Sequence, residues 1–320
     1  MVHIPNADHV RLDRDARALL QVLAICCYYA TMPTPFSPLR SAAVGLGALL
    51  LILAGPLAAQ QRIWEPEVYS TARFDDNRMV AAAGLLVPFA QRSDRLLFAD
   101  ARGHLNEYNA WEGDFGFGYR RLLAEGRTLV GGYGYVDETR SELGNGYQKV
   151  MVGLELQGER WSARGHSYFV GDAGSGVLAR GLQAPAAAQI SERGMDGWDV
   201  EWGSRLPIAI KAQELWLYAA YYRFDASGWE AAEGPRVRLD WRVPLDWVAP
   251  GARVGFGLQW QQDDLRGGQE FASIRFQLPM NGRMSGMHSA MRVNHWSRSR
   301  MAEPPERGMD VVTGVRGPGA

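Results

Sequence analysis

Residues 236–243 read Arg-Val-Arg-Leu-Asp-Trp-Arg-Val, and this stretch decides how the rest of the chain is interpreted. Its odd-numbered positions are all apolar and its even-numbered positions are all charged. Because successive side chains of a β-strand point to opposite faces, one face of this strand is apolar and the other is ionic. The same alternation recurs in residues 198–202, 254–261 and 274–278. The region from Asp196 to Met280 therefore predicts a sheet with one apolar face.

Two architectures produce such a sheet. In a soluble sandwich the apolar face is buried between two sheets, whereas in a transmembrane barrel it contacts lipid and the ionic face lines the lumen. Alternation alone does not separate them, because antiparallel sheets of both kinds show it. Aromatic residues near the strand ends, a charged and glycine-rich opposite face, and an export signal favour the barrel. We predict an all-β, antiparallel transmembrane barrel of the outer membrane.

The composition excludes several classes of function. The 320 residues carry 34 basic and 35 acidic side chains, a formal charge of −1, so no nucleic-acid partner is expected. The two cysteines, Cys26 and Cys27, lie in the leader described next. The exported chain is therefore expected to have no disulfide, thiol nucleophile or thiolate metal site.

The N-terminal region resembles an export signal. Residues 41–59 form an apolar run that follows Arg40 and ends in small residues, which matches a cleaved signal peptide rather than a membrane-spanning helix. We predict cleavage after Ala59, with Met32 as a plausible true start. The chain is thus divided into a leader (1–59), a barrel (60–280) and a post-barrel segment (281–320).

Strand-like segments recur about every twenty residues in hairpin fashion. Twelve are predicted, an even number, as a closed antiparallel barrel with both ends on one side requires. Short or proline-bearing connections alternate with longer ones rich in Gly, Ser or charge, which is the expected asymmetry between periplasmic turns and outer loops. After Leu278 the strand pattern stops, and the composition of residues 281–320 favours a flexible tail over an ordered linker.

The polar face of the predicted strands supplies the lumen. An Arg on the lipid face costs about 2–4 kcal/mol at the membrane midplane, so the charged residues are expected to face a wet lumen and pair there. The predicted lumen-facing residues are Asp100, Arg102, Glu112, Asp114, Arg120, Lys149, Glu155, Arg164, Asp199, Glu201, Arg205, Arg236, Arg238, Asp240, Arg242, Arg253 and Arg275.

The apolar face is predicted to contact lipid, with its Trp and Tyr residues forming girdles at the two interfaces. The predicted lipid-facing residues are Trp111, Phe115, Phe117, Tyr119, Tyr133, Trp198, Trp202, Trp216, Tyr218, Tyr222, Trp241, Phe256, Trp260 and Phe276.

Two stretches resemble a known family. Residues 197–207, GWDVEWGSRLP, resemble the G-x-D-x-x-x-x-x-x-L-P strand of the inverse autotransporters, the intimin and invasin family. Residues 300–313, RMAEPPERGMDVVT, resemble that family's post-barrel motif R-M-x-E-P-x-x-R-x-x-D-I-V-T. The resemblance runs from about Trp64 to Thr313, and the motif positions in the linker are Arg300, Glu303, Arg307 and Asp310.

The resemblance implies a translocator. In that family the segment after the last strand threads back through a twelve-stranded barrel and carries a C-terminal passenger used for adhesion. The linker arginines are then expected to meet lumen carboxylates such as Glu112, Asp114, Glu155 or Glu201. The resemblance also implies outer-membrane lipid, periplasmic chaperones and the barrel-assembly machinery of a Gram-negative bacterium as partners.

Because the sequence ends at Ala320, the adhesin function is not carried over. A lost passenger, a separately encoded passenger and a barrel that acts alone as a pore or structural barrel all remain open. The predicted function is therefore a translocator-type outer-membrane barrel.

An enzymatic interpretation has weaker support. The Gly/Ser-rich stretch around Ser175 resembles a protease serine loop, and His166-Ser167 resembles part of an outer-membrane phospholipase site. Adjacent strand residues point to opposite faces, so His166 and Ser167 do not form a catalytic pair by themselves. His288 and His295 lack the spacing and further ligands of a metal site. No catalytic site, cofactor or metal is predicted.

Overall fold

The structure, a computed structural model, describes residues 63–75, 79–106, 111–141, 145–171, 191–208, 210, 212–280, 295–308 and 312–316. Within these ranges, twelve antiparallel strands form a closed barrel. The predicted signal peptide and its cleavage site at Ala59 lie outside the described residues.

The barrel strands follow one another around the wall in chain order. They are β1 (Glu67–Phe74), β2 (Met79–Arg92), β3 (Arg95–Asn106), β4 (Trp111–Leu123), β5 (Thr128–Arg140), β6 (Gly146–Gly158), β7 (Trp161–Gly171), β9 (Asp196–Leu206), β10 (Glu214–Asp225), β11 (Ala232–Pro244), β12 (Arg253–Asp263) and β13 (Gly267–Pro279). Strand β1 closes the ring, because Glu67 lies opposite both Leu86 of β2 and Pro279 of β13. The predicted twelve-stranded barrel is confirmed.

Three further elements lie off the wall. Strand β8 (Ser191–Gly194) interrupts the connection between β7 and β9, which pair directly with each other. Helix α1 (His295–Met301) and strand β14 (Thr313–Arg316) follow the barrel, and β14 pairs with β8 in a separate two-stranded sheet. A flexible tail was the composition-based expectation for residues 281–320, and it is wrong for the described parts of that segment.

The two faces of the wall differ as a membrane barrel requires. On β9 the side chains of Trp198, Val200 and Trp202 are 41%, 51% and 57% exposed, whereas Asp199 and Glu201 between them are 2% and 7% exposed. The apolar face therefore points out of the barrel and the ionic face points into it. No helix in the described ranges has the length and apolarity to cross a bilayer.

Four aromatic residues predicted to face lipid lie inside the barrel instead. Tyr133, Trp216, Tyr218 and Tyr222 are all at most 2% exposed. Tyr133 bonds to His166 and Tyr222 donates to Asp263, so their hydroxyl groups find polar partners in the lumen. The prediction took aromatic identity as the sign of a lipid face, but a lumen rich in carboxylates and arginines also accepts phenol and indole groups.

Glycines on neighbouring strands make room for the inward rings. Gly116 lies directly across from Tyr135, Gly153 from Tyr133 and Gly203 from Tyr218. A Cβ atom built on any of these glycines would overlap the facing ring. Each ring therefore lies over the backbone of the neighbouring strand. The glycines of the inner face are needed to pack these rings, in addition to being typical of a hydrated lumen.

This packing predicts different outcomes for two glycines of β4. A side chain at Gly116 would overlap both the Tyr135 ring and the carbonyl oxygen of Gly134, whereas a Cβ at Gly113 comes no closer than 4.0 Å to Arg102 O. We expect Gly116→Val to lower the free energy of unfolding by about 1–3 kcal/mol, the usual cost of overpacking. Gly113→Val is the control and is expected to unfold like the native chain in urea titrations of vesicle-inserted barrels. Equal stability of the two variants would contradict the packing argument.

Candidate functional site

The post-barrel segment occupies the lumen. Trp296, Met301 and Ala302, in and just after α1, pack in one buried apolar cluster with Leu122 and Leu129 of the wall. Trp64 belongs to the same cluster, and its backbone N–H donates to Gln91 Oε1 at 2.6 Å while its indole N–H donates to Arg92 O at 3.1 Å. This apolar packing fixes the segment at the end of the barrel where β1 begins and β13 ends.

Arg120 of β4 fixes the end of the helix. Its Nη1 donates to the carbonyl oxygens of Arg300, Met301 and Glu303 at 3.2, 2.9 and 2.5 Å. The last carbonyls of a helix have no partner within the helix, so a cation at that end both satisfies them and complements the helix dipole. Arg120 Nε donates to Glu155 Oε1 at 2.5 Å, which holds the guanidinium against the wall.

Arg307 binds the segment to β4 and β5 near the other end of these strands. Its side chain is fully buried, and it donates to Asp114 at 2.5 Å and to Asp137 at 3.0 Å. Its guanidinium also lies 3.9 Å from the centroid of the Tyr135 ring. Each carboxylate has a second partner, because His104 lies 2.6 Å from Asp114 and Lys149 lies 3.0 Å from Asp137.

Two glutamates of the segment face the arginines of the other half of the barrel. Glu306 accepts two hydrogen bonds from Arg275 at 2.5 and 3.0 Å. Glu303 lies 3.3 Å from Arg242 and accepts a hydrogen bond from Arg300 at 2.7 Å. The segment thus presents cations to β4 and β5 and carboxylates to β11 and β13, which fixes its rotation in the lumen.

The wall itself carries a paired ionic network. Glu201 lies within 3.2 Å of Arg164 and 2.9 Å of Arg238. Asp199 accepts from Arg236 at 3.3 Å and contacts His166 at 2.6 Å. Ions out of contact with water are tolerated only with such partners, because an unpaired buried charge is strongly destabilising.

Beyond Arg307 the segment leaves the lumen at the opposite end. The N–H of Gly308 donates to the Tyr168 hydroxyl at 3.4 Å. Val312 then enters a small apolar cluster with Met195 and Ala232, and β14 follows on β8. The described parts of the segment therefore mark a path from one end of the barrel to the other.

The described part of the segment does not fill the lumen. A cavity of about 150 Å³ remains between it and β11–β13 and β1, where inward positions are small, as at Gly255, Gly257 and Ser273. Its lining carries arginines and carboxylates of both charges, including Arg236, Arg275 and Glu306.

Comparison with known proteins identifies the barrel. The sequence model described as "Inverse autotransporter, beta-domain" matches residues 69–226, from β1 to the end of β10. Residues 69–226 are therefore an inverse autotransporter β-domain. Among functionally curated proteins, none matches the sequence.

Solved structures similar to this inverse autotransporter barrel are also membrane proteins. One was solved in work on the mechanism of in-meso crystallization, with a TM-score of 0.57 and 13% identity over 79% of this chain and all of that one. Another is the COG4313 outer-membrane channel from Pseudomonas putida F1, with a TM-score of 0.52 and 11% identity over 68% of this chain and 96% of that one. At these identities the likeness concerns the fold. Together with the family, it makes this chain an outer-membrane β-barrel.

Most residues predicted to face the lumen of the inverse autotransporter barrel lie on its inner face. Those with described side chains are Asp100, Arg102, Asp114, Arg120, Lys149, Glu155, Arg164, Asp199, Glu201, Arg205, Arg236, Arg238, Asp240, Arg242, Arg253 and Arg275. The side chains of Glu112 and Trp111, and the whole of Asp310, lie outside the described residues. Of the carboxylates expected to meet linker arginines, Asp114 does so, whereas Glu155 and Glu201 pair with arginines of the wall.

The aromatic set of this autotransporter barrel divides between the two faces. Phe115, Phe117, Tyr119, Trp198, Trp202, Trp241, Phe256, Trp260 and Phe276 lie on the outer face, opposite the four inward rings already named. Arg223 lies on the outer side of β10 near the strand end, where it pairs with Asp225 and Glu233. Sequence reasoning missed Asp137, Glu214 and Glu306 as partners, although all three lie at inward parity or inside the resembling motif.

Metal binding finds no support in the described part of the chain. No group of three or more His, Cys, Asp or Glu side chains there is arranged to hold an ion. The two inward histidines, His104 and His166, are each bonded to a carboxylate.

Proposed function

We propose that the barrel anchors its own C-terminal segment in the outer membrane and exports it, so that the chain beyond residue 316 is displayed outside the cell. The observation that carries this is the chain path: α1 packs at the end where β1 begins, and β14 lies at the other end. Buried ion pairs from Arg307 to Asp114 and Asp137 hold the path in place. A solvated tail outside the barrel would not form these buried ion pairs.

The cargo and the partners follow from the same proposal. The passenger of this translocator is the polypeptide that follows β14, or a separately encoded protein that binds there. Adhesion is its proposed use. Export through a signal peptide cleaved after Ala59 and insertion by the barrel-assembly machinery of a Gram-negative bacterium complete the route. The outer face supports lipid as the surrounding partner, because its exposed residues are apolar.

We further propose that the barrel has no catalytic activity. His166 points into the lumen and is bonded to Asp199 and Tyr133, whereas Ser167 lies on the outer face. Ser167 therefore cannot act as a nucleophile activated by His166. Ser175 lies outside the described residues, and a phospholipase assay with Ser175→Ala and Ser167→Ala tests both candidates.

A pore is the second candidate function, and the cavity beside the segment supports it. Under that proposal small solutes pass between the threaded segment and strands β11–β13. The two functions are compatible, because anchoring needs the segment in the lumen and conduction needs only the space beside it.

An epitope added after Ala320 tests the display function. On intact cells we expect antibody to label this epitope, because the proposed export puts β14 at the outer end of the barrel. A matched epitope inserted at Glu125, in the short turn between β4 and β5 at the other end, is expected to be labelled only after the outer membrane is opened. Labelling of the C-terminal epitope only in opened cells would overturn the proposal.

A further inference from the structure

Strand β8 is set apart from the barrel wall. It lies in the connection between β7 and β9, and β14 pairs with it in antiparallel register from Thr313 opposite Gly194 to Arg316 opposite Ser191. One more backbone bond extends this pairing, because Met195 N donates to Val312 O at 3.0 Å. The C-terminal segment thus adds its last described residues to β8 as a second strand.

Contacts that do not involve β14 hold β8 in position. The Glu192 side chain is buried, and its Oε2 accepts hydrogen bonds from Ser141 Oγ at 2.7 Å and from Asn145 Nδ2 at 2.6 Å. These donors belong to the connection between β5 and β6. The edge of β8 is therefore fixed by the barrel's own loops and is ready to receive a strand.

Two positions of the incoming strand are selected by shape. Val312 is buried with Met195 and Ala232, and Trp229 packs against the same cluster. Gly314 lies on the same face, and a Cβ there would come within 2.6 Å of the Trp229 ring and 2.8 Å of Met195 Cε. The intervening Thr313 is partly exposed and Val315 is 52% exposed, so these positions face away from the barrel.

We propose that β8 is an acceptor strand that captures the segment leaving the lumen by strand addition and keeps it from sliding back. Its ligand is an extended peptide with an apolar side chain at position 312 and glycine at position 314. Backbone hydrogen bonds supply binding strength in strand addition, and pockets for alternate side chains supply selectivity. This inference rests on the proposed export of the C-terminal segment and names the site that receives it.

Hydrogen exchange on the purified full-length chain in lipid vesicles tests the capture site. Gly314→Val is expected to raise exchange of the β8 and β14 amides by about tenfold or more, since the added side chain must push the strand off Trp229. Thr313→Val, one residue earlier on the outward face, is the matched control and is expected to change exchange by less than about threefold. Normal heat-modifiable migration in gels establishes that both variants contain a folded barrel.

Glu192→Ala provides a second route to the same answer, because it loosens the acceptor without touching the incoming strand. We expect it to raise exchange at β14 as Gly314→Val does. In cells, both variants are expected to slow the appearance of a C-terminal epitope at the surface, while Thr313→Val is expected to leave it unchanged.

Unchanged exchange in Gly314→Val, an equal effect of Thr313→Val, or normal surface arrival in both disruptive variants would overturn the capture role. Failure of the export proposal gives a different result. In that case no epitope reaches the surface even in the native chain, whatever the exchange at β14.

Discussion

Replacing Arg307 with Met is expected to lower the free energy of unfolding by about 3 kcal/mol, the lower end of the range for breaking a buried ion pair. The guanidinium is fully buried between Asp114 and Asp137, and the methionine leaves both carboxylates without it. The lower end applies because His104 and Lys149 still contact these carboxylates. Equilibrium unfolding in urea of vesicle-inserted protein measures the change.

Arg223→Met is the matched control for that experiment. Arg223 also pairs with two carboxylates, Asp225 at 3.1 Å and Glu233 at 2.5 Å, but its side chain is 43% exposed. Exposed ion pairs contribute little because water solvates both partners and salt screens them. We expect no measurable loss of stability. A similar loss in the two variants would show that Arg307 does not lock the segment in the lumen.

Much of the wall is predictable because a barrel strand carries a strong local signal. Residues 236–243 alternate between charge and apolar side chains at every position, and that period of two is the geometry of a strand. The even number of such strands is what a closed antiparallel barrel with both ends on one side requires. The burial of Asp199 between exposed Trp198 and Val200 follows from the same alternation.

The aromatic residues show where this reasoning stops. On β9 the tryptophans alternate with acids, so their face is evident. On β5 the sequence Gly-Tyr-Gly-Tyr, residues 132–135, alternates glycine with tyrosine and offers no charge to mark the inner face. The parity of Asp137, two residues after Tyr135, carries that information, as does a glycine across from each ring.

The threaded segment is harder to predict from sequence for a different reason. Its arginines and prolines read as a solvated tail, because nothing local indicates that Arg300 reaches Glu214 or that Arg307 reaches Asp114. These pairs join residues 86 and 193 positions apart. Helix α1 has only seven residues and depends on Arg120, from a distant strand, for its last carbonyl partners. Family resemblance supplied what local pattern did not.

The second large effect concerns conduction. A chain that stops at Met280 keeps all twelve strands but lacks α1 and the segment that carries Glu303, Glu306 and Arg307. Barrels of about eight strands are filled by their own side chains, while larger ones hold a channel unless something else occupies the lumen. The inner wall facing the cavity carries small residues, such as Gly255 and Gly257. Removal of the segment is therefore expected to leave a continuous polar passage.

The most direct test is the single-channel conductance of the full chain and of the chain ending at Met280 in the same planar bilayers. A barrel with a threaded segment predicts a conductance at least about fivefold higher for the shorter chain, with a small or closed state for the full chain. Equal conductance of the two chains would contradict the account, because the lumen would then not contain the C-terminal segment.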